Sequence, residues 1–311
     1  MPDPTPPSSH LTSTRLTIAV VGPGGIGGAL ALALRAAGRH EVVACARRPI
    51  GRLVLERDGI EQELPLRVAT RPDEVGRTDW VMLCTKAHHT ADAAPWLARL
   101  CGPGTRVAVL QNGIDHAARI APHAGGAAVV PVIVYYNGER IGPDRVRLRQ
   151  VSSHDLVVAN EPDGQDFAAV VEGSGLRVLC ADDFRTRAWR KLLLNVMVNP
   201  VTALTLQRQS VTQRPDVHAL CLDILAEALA VARADGARLA DDEPARIMAA
   251  LAAAPPGLGT SMYFDRLAGQ TLEIEALTGA LVAAADRHGL PVPINRALLV
   301  LCRAVSEAAG G

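Results

Sequence analysis

Residues 16–27 read LTIAVVGPGGIG, and Ala29 to Ala37, ALALALRAA, follow before Gly38. Leu16 to Val21 is an apolar run of the kind that makes a buried parallel strand, and the stretch after the glycines is a helix that stops at Gly38. A glycine fingerprint by itself says little, but strand, G-x-G-x-x-G and helix in register describe a dinucleotide site. Gly22 permits the tight turn, Gly24 lets backbone approach a pyrophosphate, and Gly27 lets helix and strand pack closely. Gly25 and Ile26 complete the loop at a helix N-terminus whose N–H groups have no partner. The alternative is a glycine-rich turn without a ligand.

The strands that follow deliver polar residues to the same edge. Glu41 to Ala46 is a second strand ending at Arg47-Arg48, where no carboxylate stands to hold a ribose 2′-hydroxyl. An arginine there suits a 2′-phosphate, so the cofactor expected is NADP(H), with Arg47 as the contact and Arg48 as support. Two solvated arginines at a turn are the plainer alternative. Residues 52–69 alternate as a hairpin turning at Asp58-Gly59. Trp80 to Thr85 resumes the buried character and is followed by Lys86; Thr105 to Leu110 ends at Gln111-Asn112-Gly113. Ligands in open α/β sheets bind beyond the carboxyl ends of strands, which places Gly24, Arg47, Lys86 and Asn112 in one row. His88-His89 lacks a third metal ligand at recognisable spacing, so no metal is expected. Ala127 to Tyr136, Val146 to Gln150, Leu156 to Ala159 and Leu176 to Cys180 read as strands extending the sheet in antiparallel style.

The second informative stretch is Trp189 to Pro200, WRKLLLNVMVNP. A helix here is apolar nearly all round, as in an element buried between others. Lys191, Asn195 and Asn199 interrupt it four residues apart, so they form a single stripe roughly 12 Å long. An ammonium and two carboxamides cost several kcal/mol to bury unpartnered, so they face either partners within the protein or a polar ligand. The chain has two lysines, Lys86 and Lys191, against thirty arginines. Both remain at informative places, and an ammonium can give up a proton where a guanidinium cannot.

Composition sets the bounds. The chain has 311 residues, 49% of them hydrophobic, and a formal net charge of zero. That supports a soluble globular protein of two domains, with no basic surface for nucleic acid or membrane. MPDPTPPSSHLTSTR at the start has no apolar core of a signal peptide and reads as a disordered tail. Six cysteines without paired spacing suggest reduced thiols and a cytoplasmic protein. From Asp183 the pattern turns helical, with helices expected over 184–206, 217–235, 243–253, 270–288 and 294–308. The expected organisation is a tail over 1–15, an NADP-binding Rossmann domain over 16–183, and a helical substrate and dimerisation domain over 184–311.

Gly22-Pro-Gly24-Gly-Ile-Gly27, Lys86, Gln111-Asn112-Gly113, the W-R-K-x-x-x-N-x-x-x-N-P block, Thr260-Ser261-Met262 and Glu273-Ile274-Glu275 together resemble the successive motifs of the ketopantoate reductase family. The resemblance covers nearly all of the chain after residue 15. It implies a Rossmann domain followed by a helical domain of the 6-phosphogluconate dehydrogenase C-terminal-like kind. It also implies reduction of 2-dehydropantoate to (R)-pantoate with NADPH, and a homodimer. Under it Lys191 is the proton donor, and Asn195, Asn199 and Ser261 bind substrate. Asn112 bridges substrate and cofactor, Glu273 contacts the nicotinamide side, and Arg47 and Lys86 serve the adenosine phosphate end. For Ser261 and Glu273 the residues alone suggest only helix capping and a surface carboxylate.

The chain departs from that pattern at Leu258 and Gln209, where asparagines are typical, and at Tyr135-Tyr136, where small residues and threonines are usual. A less polar or larger 2-oxo acid is the expectation from these exchanges. A β-hydroxyacid dehydrogenase is a competing reading, but such enzymes carry glycine where Arg187 stands and lack a third polar step at Asn199. A non-catalytic NADP(H) sensor is another, and it has no use for a lysine on a polar stripe.

Overall fold

The structure is a computed structural model and describes residues 15–309; apart from Arg15, the expected tail lies outside the described residues. The first half runs β1 (Thr17–Val21), α1 (Gly25–Ala37), β2 (Glu41–Cys45), β3 (Leu53–Arg57), β4 (Ile60–Leu64), β5 (Arg67–Ala69), β6 (Trp80–Leu83), α2 (Thr90–Leu100) and β7 (Arg106–Val109). It continues with α3 (His116–Ile120), β8 (Ala128–Pro131), β9 (Ile133–Val134), β10 (Asn137–Arg140), β11 (Arg145–Arg149), β12 (Leu156–Ala159), α4 (Pro162–Val171) and β13 (Val178–Ala181). Six strands form a parallel sheet in the order β5-β2-β1-β6-β7-β8. Counted within this sheet the order is 3-2-1-4-5-6, the doubly wound arrangement whose reversal between first and fourth strands opens a crevice for a dinucleotide.

The core strands are apolar on both faces because both faces are covered. Ile18, Ala19, Val20, Val81, Met82 and Leu83 are fully buried, as are Ala29 to Ala33 of α1. α1 carries no charge before Arg35 because it lies between the parallel sheet and a second, four-stranded sheet, β10-β11-β3-β4. A third sheet, β13-β12-β9, leads into the helical half.

Two expectations about strands need correction. The hairpin turns at Asp58 and Gly59, both at positive φ as a type I′ turn requires, but it ends at Leu64. Pro65 has no N–H to continue the ladder, and residues 67–69 join β2 in parallel instead. The later strands likewise do not extend one sheet. The run from Ala127 to Tyr136 divides at Val132: Ala128–Pro131 forms the edge of the parallel sheet, while Ile133–Val134 pairs antiparallel with β12. Val132 still donates to the Val109 carbonyl at 3.1 Å, so the parallel pairing ends just past Pro131.

The second half is helical: α5 (Phe184–Thr205), α6 (Pro215–Ala234), α7 (Glu243–Ala253), α8 (Ser261–Leu267), α9 (Ala280–Arg287) and α10 (Pro293–Ala309). α5 continues through Pro200, and α6, α8 and α10 pack around it. Its Leu192, Leu193, Val196, Met197 and Val198 sit at the centre of one core, which is why the sequence is apolar on every side. The helix expected over 270–288 starts late. Residues before Ile274 are not helical, Glu275–Gly279 is a π turn closed by the Gly279 N–H on the Ile274 carbonyl at 2.9 Å, and α9 follows. Among the described residues no helix is long and apolar enough to cross a membrane.

Two glycines of the loop after β1 separate packing from binding. A Cβ at Gly27 would lie 2.3 Å from the Gly22 carbonyl oxygen and 2.7 Å from Cys84 Cβ, whereas one at Gly24 meets nothing within 4 Å. Gly27→Ala is expected to lower the unfolding free energy by about 1–3 kcal/mol. Gly24→Ala is expected to change it by less than about 0.5 kcal/mol. Denaturant titration of the two variants beside the parent checks both.

Candidate active site

The loop after β1 fits a phosphate cradle. Gly22 adopts φ +85° with its α-carbon against Thr85, a conformation side chains resist. Gly24 caps α1 without a side chain and faces open space, so the first-turn N–H groups are left for an outside acceptor. Gly25 is required for a different reason: a Cβ there would come 2.1 Å from the carbonyl oxygen of Gly138 in β10. The Ile26 carbonyl accepts the Tyr136 hydroxyl at 2.8 Å, which braces the cradle from behind. Arg47 and Arg48 stand exposed just beyond β2, on the same edge of the sheet.

Lys86 and Asn112 reach the helical half. The Lys86 ammonium lies 2.5 Å from Asp265 Oδ1 on α8, next to a backbone link in which the Ala87 N–H donates to Glu273 Oε1 at 2.9 Å. Asn112 Nδ2 donates to the other Glu273 oxygen at 3.4 Å. Glu273 therefore gathers both strand ends, which a surface carboxylate would not do. Lys86 is thus engaged across the cleft beside Glu273. Asp265 was not foreseen; its signal was its place four residues after Ser261, on the same face of α8. Burial raises its carboxyl above the usual range, and Lys86 only partly offsets that.

Lys191 is held from the other side. Its Nζ donates to the Val134 carbonyl of β9 at 2.6 Å and lies 5.7 Å from the centre of the Tyr135 ring. Burial lowers its pKa to about 8, with the Glu273 charge opposing the shift. One turn along, Asn195 Oδ1 accepts from Asn199 Nδ2 at 3.3 Å. Asn199 is itself buried, and its Oδ1 accepts from the Met262 N–H at 3.3 Å and from Ser261 Oγ at 3.5 Å. The stripe therefore divides: Asn199 fastens α5 to α8, while Lys191 and Asn195 line a narrow cleft with Gln111, Asn112, His116 and Ile133.

Ser261 is spared from capping. Thr260 caps α8, accepting from the Tyr263 N–H at 3.1 Å, so the exposed Ser261 hydroxyl stays at the helix mouth beside Asn199. His116 was also missed, and a lone histidine carried no signal. Burial lowers its pKa to about 4, and its Nε2 meets the Gln111 carbonyl at 2.8 Å, so the neutral ring holds the loop in place. Tyr136 does not enter the cleft: it is buried and turned to Ile26. The exposed Leu258 is tied through its carbonyl to the Gln209 N–H at 2.9 Å, bringing those two departures together. Among the described residues no three histidine, cysteine, aspartate or glutamate side chains group as metal ligands.

This arrangement was compared with known proteins. The model of the ketopantoate reductase PanE/ApbA family matches residues 18–161, and that of its C-terminal region matches residues 183–306. A 2-dehydropantoate 2-reductase of Mycobacterium tuberculosis is 41% identical over 295 residues, covering 94% of this chain and 99% of the relative. One of Caulobacter vibrioides is 35% identical over 291 residues, covering 93% and 99%. The crystal structure of a ketopantoate reductase from Ralstonia eutropha superposes with a TM-score of 0.85 at 30% identity, over 95% of this chain and 100% of that one. With both halves of the chain matched, the chain belongs to the ketopantoate reductase family.

Proposed function

We propose that this protein reduces a 2-oxo acid with NADPH, and that the substrate is 2-dehydropantoate, giving (R)-pantoate. The observation that carries the proposal is Lys191, a lysine of lowered pKa on a buried helix, sharing a cleft with Gln111 and Asn112 at the end of β7. Residues 16–183 form the cofactor domain in this reading, and 184–311 the substrate and dimerisation domain of a homodimer. The six cysteines are free, in keeping with a cytoplasmic enzyme.

The reduced nicotinamide, when bound, supplies the hydride. This chain's residues supply the rest. Gly24 and the α1 N-terminus take the pyrophosphate, and Arg47, supported by Arg48, takes the 2′-phosphate. Glu273 and Asn112, already joined, orient the nicotinamide side. Asn195 on α5 and the Ser261 hydroxyl at the mouth of α8 hold substrate oxygens, and Asn199, expected to do the same, instead fixes the two helices to each other. As the ketone carbon becomes tetrahedral, negative charge grows on its oxygen, and Lys191 both stabilises that charge and delivers the proton. An ammonium carries three N–H donors, so Lys191 keeps its bond to the Val134 carbonyl and still meets the substrate oxygen. The exposed side chain of Leu258 beside Gln209 favours one refinement, a preference for less polar or larger 2-oxo acids.

Absorbance at 340 nm follows the reaction. Lys191→Ala is expected to reduce kcat at least about a hundredfold with 2-dehydropantoate, the usual contribution of a general acid. Arg47→Ala is expected to raise the KM for NADPH about tenfold or more while leaving that for NADH nearly unchanged, as loss of a charge-assisted contact requires. The pH dependence has a definite sign. Lys191 must be protonated to act, so kcat/KM should be flat below its pKa of about 8 and fall as pH rises through it. Equal efficiency on 2-dehydropantoate and no gain with bulkier apolar 2-oxo acids would remove the refinement drawn from Leu258.

A further inference from the structure

Val134, Tyr135 and Tyr136 are consecutive residues that reach both halves of the site. The Val134 carbonyl takes the Lys191 ammonium, the Tyr135 ring lies beside it, and the Tyr136 hydroxyl holds the cradle at Ile26. The run is rigid. The N–H groups of Tyr135 and Tyr136 both donate to the Asp155 carbonyl, at 2.8 and 3.3 Å, and the buried Asp155 carboxylate is bound by Arg177 and Gln150. Tyr135 packs against the small buried cluster of Ile133, Val157 and Ala181, the cluster that Phe184 and Ala188 of α5 also pack against.

We propose that Tyr135 is a positioning residue for the reaction proposed above, its ring walling the Lys191 ammonium from water and, with the Val134 carbonyl, aiming it into the cleft. The ring acts in two opposed ways. As a wall it removes solvent from the ammonium, which favours the neutral amine; as a π face it attracts the cation, which favours the charged form. The titratable and charged groups around the pair are Glu273 and His116 near Lys191, and Asp183, Arg187 and Arg190 near the phenol. Burial keeps the phenol above its usual pKa, so it stays a neutral hydroxyl through the working range.

Substitutions separate the two actions. Tyr135→Phe keeps both wall and face, Tyr135→Leu keeps most of the wall without the face, and Tyr135→Ala opens the wall. Because the chain has two lysines, protein labelled with 13C at the lysine ε-carbon gives two signals, and Lys86→Arg assigns them. We expect the Lys191 signal to titrate near 8 in the parent and in Tyr135→Phe, lower in Tyr135→Leu, and higher in Tyr135→Ala by about one pH unit. The alkaline limb of kcat/KM should move with it in each variant.

An unmoved Lys191 midpoint in both Tyr135→Leu and Tyr135→Ala, or movement of both in one direction, overturns the proposal and leaves the ring as packing. Leucine retains an apolar side chain of comparable reach, so a failure of Tyr135→Ala to fold still leaves a deciding variant. The titration is independent of turnover. Midpoints that move as expected in a protein that reduces no 2-oxo acid would sustain the role of Tyr135 while ending the proposed reaction.

Discussion

A lysine ammonium held against one backbone carbonyl, on a helix packed on three sides, is the constraint that the rest of this structure serves. Desolvating a charge costs several kcal/mol unless partners replace the lost water. Among the described residues Lys191 donates to one acceptor, the Val134 carbonyl, and the Glu273 charge also favours the ammonium. Where the ammonium sits therefore depends on where β9 stands. That explains why so much structure is spent on a strand of two residues. Asp155 is fully buried, its carboxylate is bound to Arg177 and Gln150, and its carbonyl receives both tyrosine N–H groups.

The same economy governs the meeting of the two halves. Polar contacts join strand ends and helices along the cleft: Glu273 with Ala87 and Asn112, Lys86 with Asp265, and Lys191 with Val134. Contacts of this kind depend on geometry and shed little water-driven stability when they part. They bind the halves firmly enough to align a donor with a cradle while leaving a cleft between them. The π turn after Glu273 belongs to this arrangement. Widening the helix there lets the chain ahead of it run unwound, so that the Glu273 carboxylate reaches two strand ends at once.

Much of this was legible in the residues. The strand, glycine loop and helix of residues 16–37, the apolar character of β6 and β7, and the polar stripe on α5 each report local physics: chain flexibility at glycine, burial on both faces, and the helical repeat. The row of strand ends followed from a general rule of parallel sheets, since every such strand points its carboxyl end the same way. At the hairpin the expectation slipped at a proline: Pro65 lacks the donor that would continue the ladder, and residues 67–69 pair with β2 instead. Tyr136 is expected in the pocket, yet the chain bends between β9 and β10, and its hydroxyl donates to the Ile26 carbonyl on the cradle side.

By itself the sequence determined the elements, their order and the chemistry available at each: phosphate-binding backbone, arginines for a 2′-phosphate, and a lysine able to donate a proton. These are properties of short stretches and of side-chain type. Only the tertiary structure decided partners. Residues 134 and 191, or 86 and 265, are far apart along the chain, and no periodicity relates them. Their pairing arises because two separately formed cores, one around the parallel sheet and one around α5, pack with their polar edges facing. The acidity of Lys191 is of the same kind, since desolvation is a property of what surrounds a group in space and not of its neighbours in sequence.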